Sequence, residues 1–309
     1  MLQESLALLA PDHPDSLMID GTLGEGGHTE AFLTAYPDLR IIGIDADVRI
    51  QARARERLSP FGDRVVFYPG WSDVFFEEYP ADQKKPDLIL LDLGISLFHY
   101  EKSGRGFSFR TDEPLDMRLD PQSGDSAADI VNNMNETDLA DLIYQYGEEQ
   151  YSRRIARAIC ESRRTSRFTT ARALADCIYS AVPSNYRHGR IHPATKTFQA
   201  LRIAVNHELS RLPRLLELAL KVLAPGGKLG VITFHSLEDR IVKNYFRMMS
   251  KACTCPPEVP ICKCGGRPKV ELLTKKSVSP SEEEISRNSP SRSARLRAVR
   301  KIAYGDDPS

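Results

Sequence analysis

The chain has no stretch of about 18 consecutive apolar residues, the length a helix needs to cross a bilayer. Its first residues lack a basic segment leading into an apolar run and a small-residue cleavage site. Membrane insertion and export are therefore not expected, and a cytoplasmic location is. Disulfide scaffolding is also missing. Of six cysteines in 309 residues, Cys160 and Cys177 stand alone while Cys253, Cys255, Cys262 and Cys264 crowd into one segment, unlike the dispersed framework of a secreted domain. Net charge is absent too, with 42 Lys and Arg against 42 Asp and Glu. Spread evenly, that balance would argue against a nucleic-acid partner. It is not spread evenly: Glu148 to Arg202 holds eleven basic and four acidic residues, and Arg267 to Lys301 ten and four. Two basic segments in an otherwise acidic chain are the footprint that phosphate backbones require.

The elements that are present alternate. SLMIDGTLG (Ser16 to Gly24) reads as a strand entering a glycine-rich turn, with a helix over Thr29 to Tyr36. RIIGIDAD (Arg40 to Asp47) is a second strand followed by a helix, and VVFYPG and LILLDLG are further strands, apolar throughout as buried parallel strands are. This is the pattern of an α/β sheet covered on both faces. After Gly94 the rhythm changes to helical spacing, as in Leu139, Leu142, Ile143 and Tyr146, with Thr169 or Thr170 placed to cap the helix of Leu174, Ile178 and Val182. One long amphipathic segment then runs from Phe198 to Leu223, and KLGVITF resumes the strands. The expected organisation is a discontinuous sheet domain, residues 1–105 and 206–309, with an all-helical insertion over 106–205.

The string from Asp20 to His28 puts four glycines in a strand-to-helix turn, where backbone can approach a ligand closely. Such turns serve dinucleotides, flavins and S-adenosylmethionine alike, and the spacing matches neither the nicotinamide fingerprint nor a Walker A loop. Asp45, about 20 residues on at the end of the second strand, is placed to accept both ribose hydroxyls of an adenosyl group. Trp71, after the third strand, offers an aromatic face to adenine. Asp92 ends the fourth strand at the sheet edge where ligands bind.

At this point the chain resembles a known family over nearly its whole length, the bacterial enzymes that methylate N4 of a cytosine in 16S ribosomal RNA. The strings IDGTLGEGGH, GIDAD, LLDLGIS, GRGFSF, EPLDMRL, YGEE, HPATKTFQALRIAVNHEL, ITFHSLEDRIVK and SRSARLRAVRK carry the likeness in order. The resemblance implies a Rossmann-like, seven-stranded class I methyltransferase sheet with an inserted helical substrate-recognition domain. It also implies S-adenosyl-L-methionine as cofactor, 16S rRNA of the small ribosomal subunit as substrate, and cofactor contacts at Gly26, Gly27, His28, Asp45, Trp71, Asp92 and His99. Trp71 stands where the family usually has Phe and His99 where it usually has Gln; a homodimer is left open.

Methyl transfer to an exocyclic amine is an in-line displacement that needs alignment and exclusion of water. Acceptors for the amino hydrogens make the poorly nucleophilic cytosine N4 a better one. Asp92 is the first candidate acceptor, with Asp116 and the Ser236, Glu238 and Asp239 group beside it. His235 and Ser236 follow the fifth strand at the same edge. Arg105, Phe107, Phe109, Arg110 and Arg118 mix cations and rings suited to RNA phosphates and bases. The target cytosine is expected to be flipped or single-stranded. Cys253, Cys255, Cys262 and Cys264 offer four thiolates for a possible zinc, although paired C-x-C spacing is unusual for structural sites. A nicotinamide oxidoreductase would share the turn and Asp45 but leaves the basic helical insertion unused. A non-catalytic RNA-binding protein on the same fold would use the same basic surfaces, and would bind cofactor without turnover.

Overall fold

The computed structural model describes residues 1–122, 124–189, 191–253, 255, 259, 261 and 266–304. Helix α1 (Leu2–Leu8) precedes an alternation of β1 (Leu17–Asp20), α2 (Gly27–Ala35), β2 (Arg40–Asp45), α3 (Val48–Leu58), β3 (Val65–Pro69), α4 (Ser72–Glu77) and β4 (Leu88–Asp92). Helices α5 (Leu97–Glu101), α6 (Ala127–Asn133), α7 (Glu136–Gly147), α8 (Ser152–Ser162), α9 (Ala171–Ala181), α10 (Ser184–Arg187) and α11 (Ala194–Val205) follow. The chain then returns to α12 (Glu208–Val222), β5 (Lys228–Thr233), α13 (Ser236–Met249), β6 (Val270–Leu272), α14 (Glu282–Arg287) and β7 (Arg295–Lys301). Two compact units result, Met1–Gly94 with Arg211–Ser309, and Ile95–Ser210. The breaks fall at 94/95 and 210/211, where the sequence pattern suggests 105/106 and 205/206. Among the described residues no helix is long and apolar enough to cross a membrane.

The first unit is a seven-stranded α/β sheet in the order β3-β2-β1-β4-β5-β7-β6. Strands β3, β2, β1, β4 and β5 run parallel, and β7 enters antiparallel between β5 and β6. Side chains alternate between faces along each strand, so each strand feeds two cores. Ile19, Ile89, Leu91, Leu229 and Val231 pack with Leu212 and Leu216 of α12 and Val242 and Phe246 of α13. Met18, Ile41, Leu88, Leu90 and Ile232 pack with Leu9, Phe32 and Leu33. That double burial is why these strands read as unbroken apolar runs. The order reverses between β1 and β4, and a sheet of this kind opens a crevice at the carboxyl ends of the strands flanking such a reversal.

The second unit is helical and has its own core, including Val131, Leu139, Ile143, Ile155, Ile159, Leu174, Ile178 and Leu201. Thr170 caps α9 by accepting from the Ala173 amide. Gly106 adopts φ 69°, and a Cβ there would strike the Pro114 carbonyl, so only glycine fits.

Two expectations are corrected. The segment from Phe198 to Leu223 is not one helix: it breaks between α11 and α12, where His207 takes φ 53°. Asn206 dictates the break, its side chain donating to the Met117 carbonyl (2.9 Å) and accepting from the Leu119 amide (2.8 Å). Three cations of the basic segment near the C-terminus serve the fold. Arg297 forms a two-pronged pair with Asp239 (2.8 and 3.0 Å), Arg300 pairs with Asp12, and Lys301 donates to the carbonyls of Leu220 and Leu223 at the end of α12, where a cation offsets the helix dipole.

Candidate active site

Asp20 closes β1 with a buried carboxyl group that accepts from the Thr29 hydroxyl (2.7 Å) and the Thr22 amide (3.2 Å). The first bond straps the start of α2 to the end of the strand and the second holds the turn between them. Between them Gly26 caps the helix in the left-handed region, φ 80°, and no side chain caps α2. A Cβ at Gly26 would meet Leu58 Cδ1 at 2.9 Å. The helix therefore begins at Gly27 and His28 with backbone donors directed at the crevice, a setting that favours a ligand's anionic or carbonyl oxygens.

Asp45 closes β2. One carboxylate oxygen accepts from the Gly24 amide and the other from the Asp47 amide, both at 2.8 Å. The acid thus holds the glycine turn in shape, and a carboxylate has about four acceptor sites, enough to take two ribose hydroxyls as well. After β3, Trp71 caps α4 and is half-buried, with the Arg211 guanidinium 4.2 Å above its ring. Arg211 is itself ion-paired to Asp73. One tryptophan face is therefore covered by a cation. Trp71 is the chain's single tryptophan, so its emission reports on this corner alone. Arg211→Met keeps the stem and removes the charge. It is expected to change the emission of the cofactor-free protein and to weaken cofactor binding about three- to fivefold, the worth of one partly exposed cation–π contact. Unchanged emission would mean that the stacked pair is not the populated state.

Asp92 closes β4 beside β1. Its amide donates to Thr22 Oγ1 (2.6 Å), its Oδ1 accepts from Gly94 (3.3 Å), and its Oδ2 lies 3.6 Å from His28 Nδ1. Burial pushes the Asp92 carboxyl up to about 6 and holds His28 below its ordinary value. The Nε2 of His28 is buried with no hydrogen-bond partner among the described residues, and a buried polar atom left so calls for one. Asp20, too, is raised by burial. Three titratable groups and a glycine turn thus converge on the reversal point of the sheet.

The other catalytic candidates are occupied differently. His235 caps α13 with its Nδ1 facing the Glu238 amide (3.4 Å), while its buried Nε2, 3.0 Å from Glu238 Oε1, makes no hydrogen bond among the described residues. Glu238 is buried and accepts from the Phe234 amide (2.8 Å). The H-x-x-E spacing is a capping box, and it gives His235 a structural task. Ser236 is exposed in the first turn of α13, and Asp239 is taken by Arg297.

In the helical unit, Asp116 and Arg118 form a two-pronged pair (2.7 and 2.9 Å) around Met117, which sits at φ 62°. Burial alone would raise Asp116, but the hydrogen bonds and charge of Arg118 outweigh it and hold the acid below its usual range. Arg105 is buried and donates to the carbonyls of Arg118 (2.7 Å) and Leu119 (2.9 Å), and Phe107 lies in the core. Both side chains are turned into the unit, where Arg105 braces the turn that displays Asp116 and Arg118. His99 is buried on α5 with its ring 5.3 Å from that of Phe107. Phe109 is half-buried and Arg110 exposed. Cys253 is exposed and Cys255 half-buried, while Cys262 and Cys264 lie outside the described residues. The roles of Thr22, Thr29 and Arg211 had no sequence signal beyond a threonine inside a glycine string.

Three comparisons bear on these residues. The family model described as the MraW methylase family matches residues 1–302. The chain is 69% identical over 98% of its length to Ribosomal RNA small subunit methyltransferase H of Treponema denticola, covering 96% of that protein. It is 48% identical over 97% of its length to the protein of the same name in Treponema pallidum, covering 91% of it. Among solved structures, an rRNA methylase from Streptococcus thermophilus aligns over 97% of this chain and 95% of its own, at 11% identity and a TM-score of 0.42.

Proposed function

The chain belongs to the MraW methylase family, and from that premise we propose that it transfers a methyl group from S-adenosylmethionine to N4 of a cytosine in 16S ribosomal RNA of the small subunit, in the cytoplasm. The observation that carries the reading is the family match running through residues 1–302, so that the glycine turn and both strand-end acids fall inside it. The residues at the crevice suit the cofactor. Gly26 turns in the left-handed region with Leu58 packed where a side chain would lie, Asp45 has acceptor sites beyond its two amide bonds for ribose hydroxyls, Trp71 offers a ring to adenine, and the unpartnered His28 Nε2 awaits a polar group. Bound there, S-adenosylmethionine supplies a methyl group activated by its sulfonium.

The chain's own part is alignment and hydrogen bonding. Asp92, ionised at neutral pH, accepts a hydrogen from the cytosine amino group. That bond draws the N4 lone pair out of conjugation with the ring and aims it at the methyl. It also gives the surplus proton an acceptor once the new C–N bond has formed. The buried setting that raises Asp92 makes it a better proton acceptor than a solvated aspartate.

The test is methyl transfer from labelled cofactor to small ribosomal subunits of a strain lacking this gene, read by mass spectrometry of the nucleosides. Label in N4-methylcytidine is the expected result. Label in another nucleoside, or none despite measured cofactor binding, would overturn the assignment.

A further inference from the structure

The helical unit carries a row of rings that the core does not consume. The Phe109 and His192 rings stack with centroids 4.6 Å apart and planes at 29°, and His192 and Tyr179 continue the row at 5.8 Å and 21°. His192 is exposed, while Phe109 and Tyr179 are half-buried. Each ring is fixed in place. Phe198, a core residue, meets Phe109 edge-on at 5.0 Å. The Ala194 amide donates to His192 Nδ1 at 3.2 Å. The Arg187 guanidinium lies over Tyr179 at 5.3 Å while donating to the carbonyls of Val182 and Ser180. Partial burial holds His192 below its ordinary value, so near neutral pH it stacks as an uncharged ring.

Rings gathered only for burial pack edge-on as readily as face-on; a braced, near-parallel and partly exposed row is a ready-made stacking surface. Two exposed arginines border it, and one acid, Asp176 of α9, acts on His192. Arg110 is exposed next to Phe109, and Arg172, also exposed, reaches the Phe109 carbonyl at 3.5 Å. Tyr179 and His192 fall in the basic stretch from Glu148 to Arg202. Nucleic-acid bases present a π-face regardless of sequence, and guanidinium groups meet the phosphates between them.

We propose that the row Phe109, His192 and Tyr179 is a stacking platform for a single-stranded RNA segment flanking the modified cytosine, with Arg110 and Arg172 receiving its phosphates. The proposal rests on the RNA reading above and adds where the strand is held. An ordered row lowers the cost of immobilising that strand, because the protein side is already arranged.

The test uses the full chain and a short fluorescein-labelled single-stranded RNA, read by anisotropy, with cofactor affinity measured in parallel by calorimetry. His192→Ala and Tyr179→Leu are each expected to weaken RNA binding about tenfold, within the range of one lost base stack, and to leave cofactor affinity unchanged. His192→Phe, which keeps a ring, should restore most of the loss, and 4-thiouridine in the RNA should crosslink to Tyr179 or Phe109. On small subunits the alanine variant should raise KM with little change in kcat. Unchanged RNA affinity in folded alanine and leucine variants would overturn the platform, as would an equal loss for duplex RNA, which exposes no unstacked bases. RNA held through the row but methylated at another atom would overturn the N4 assignment and leave the platform standing.

Discussion

Asp92→Asn is expected to slow methyl transfer by about 10³-fold, in the range of a lost acid–base group, while making the cofactor-free protein more stable at pH 8. The two effects have one cause. Burial at the carboxyl end of β4 raises this carboxyl from 3.8 to about 6, so the ionised form that chemistry needs is the form the fold tolerates least. Asparagine has the same shape, retains an oxygen for the Gly94 amide, and has no charge to bury. A shift of about two units corresponds to roughly 3 kcal/mol. The folded state holds the Asp92 proton more tightly than the unfolded chain does, so its penalty is complete above pH 6 and absent below about pH 4. Urea midpoints of the two proteins should therefore separate as pH rises through that window and coincide at its acid end. In the wild type, kcat/KM should fall as pH drops through about 6, because protonated Asp92 has lost the capacity to accept. Turnover within tenfold of wild type would remove Asp92 from the mechanism. Equal midpoints at pH 8 would show that burial imposes no such cost.

What could be read in advance follows from how local each cause is. The strands were legible because parallel strands are buried on both faces, and LILLD or KLGVIT admits little else. The glycine turn after β1 was legible because four glycines crowd between strand and helix, and the place of Asp45 at the end of β2 because the apolar run stops there. The break after α11 was not. Helical periodicity passes through Asn206 unbroken, and the residues that end the helix, Met117 and Leu119, lie more than eighty positions earlier in the chain. The same distance hid the fate of the basic tail, whose Arg300 finds Asp12 at the opposite end of the sequence. GRGFSF reads as a surface loop of cations and rings. It folds inward because the turn at Met117 presents carbonyls at Arg118 and Leu119 to which Arg105 donates, and a guanidinium with five donors suits two of them at once. Rows of aromatics are hidden for a related reason: Phe109, Tyr179 and His192 come from three separate segments, and only folding sets their planes parallel.

Asp45→Asn should cost more than the loss of a charge, because the carboxylate proposed to take the ribose hydroxyls also holds the glycine turn with the same pair of oxygens. In the native turn each oxygen accepts a main-chain amide, Gly24 on one side and Asp47 on the other. An amide side chain has one oxygen and one NH2 group, so whichever way it is turned a donor confronts a donor, and either the glycine turn or the start of α3 must give way. The ribose then loses a charged acceptor as well as a firm wall. Hydrogen bonds to a charged group contribute about 1.5–3 kcal/mol each, so losing the equivalent of two predicts a cofactor Kd raised by at least about a hundredfold. Asp45→Ala separates the tasks, since it removes the acceptor without introducing the opposing NH2. It should weaken cofactor binding comparably, yet disturb the cofactor-free turn less, as read by hydrogen exchange at the Gly24 and Asp47 amides. Calorimetry with S-adenosylmethionine decides the first point, and a Kd within threefold of wild type in both variants would mean that the ribose is not held by Asp45. Faster exchange at Gly24 in the asparagine variant than in the alanine variant decides the second, because only a donor forced against a donor makes the closer mimic the more disruptive one.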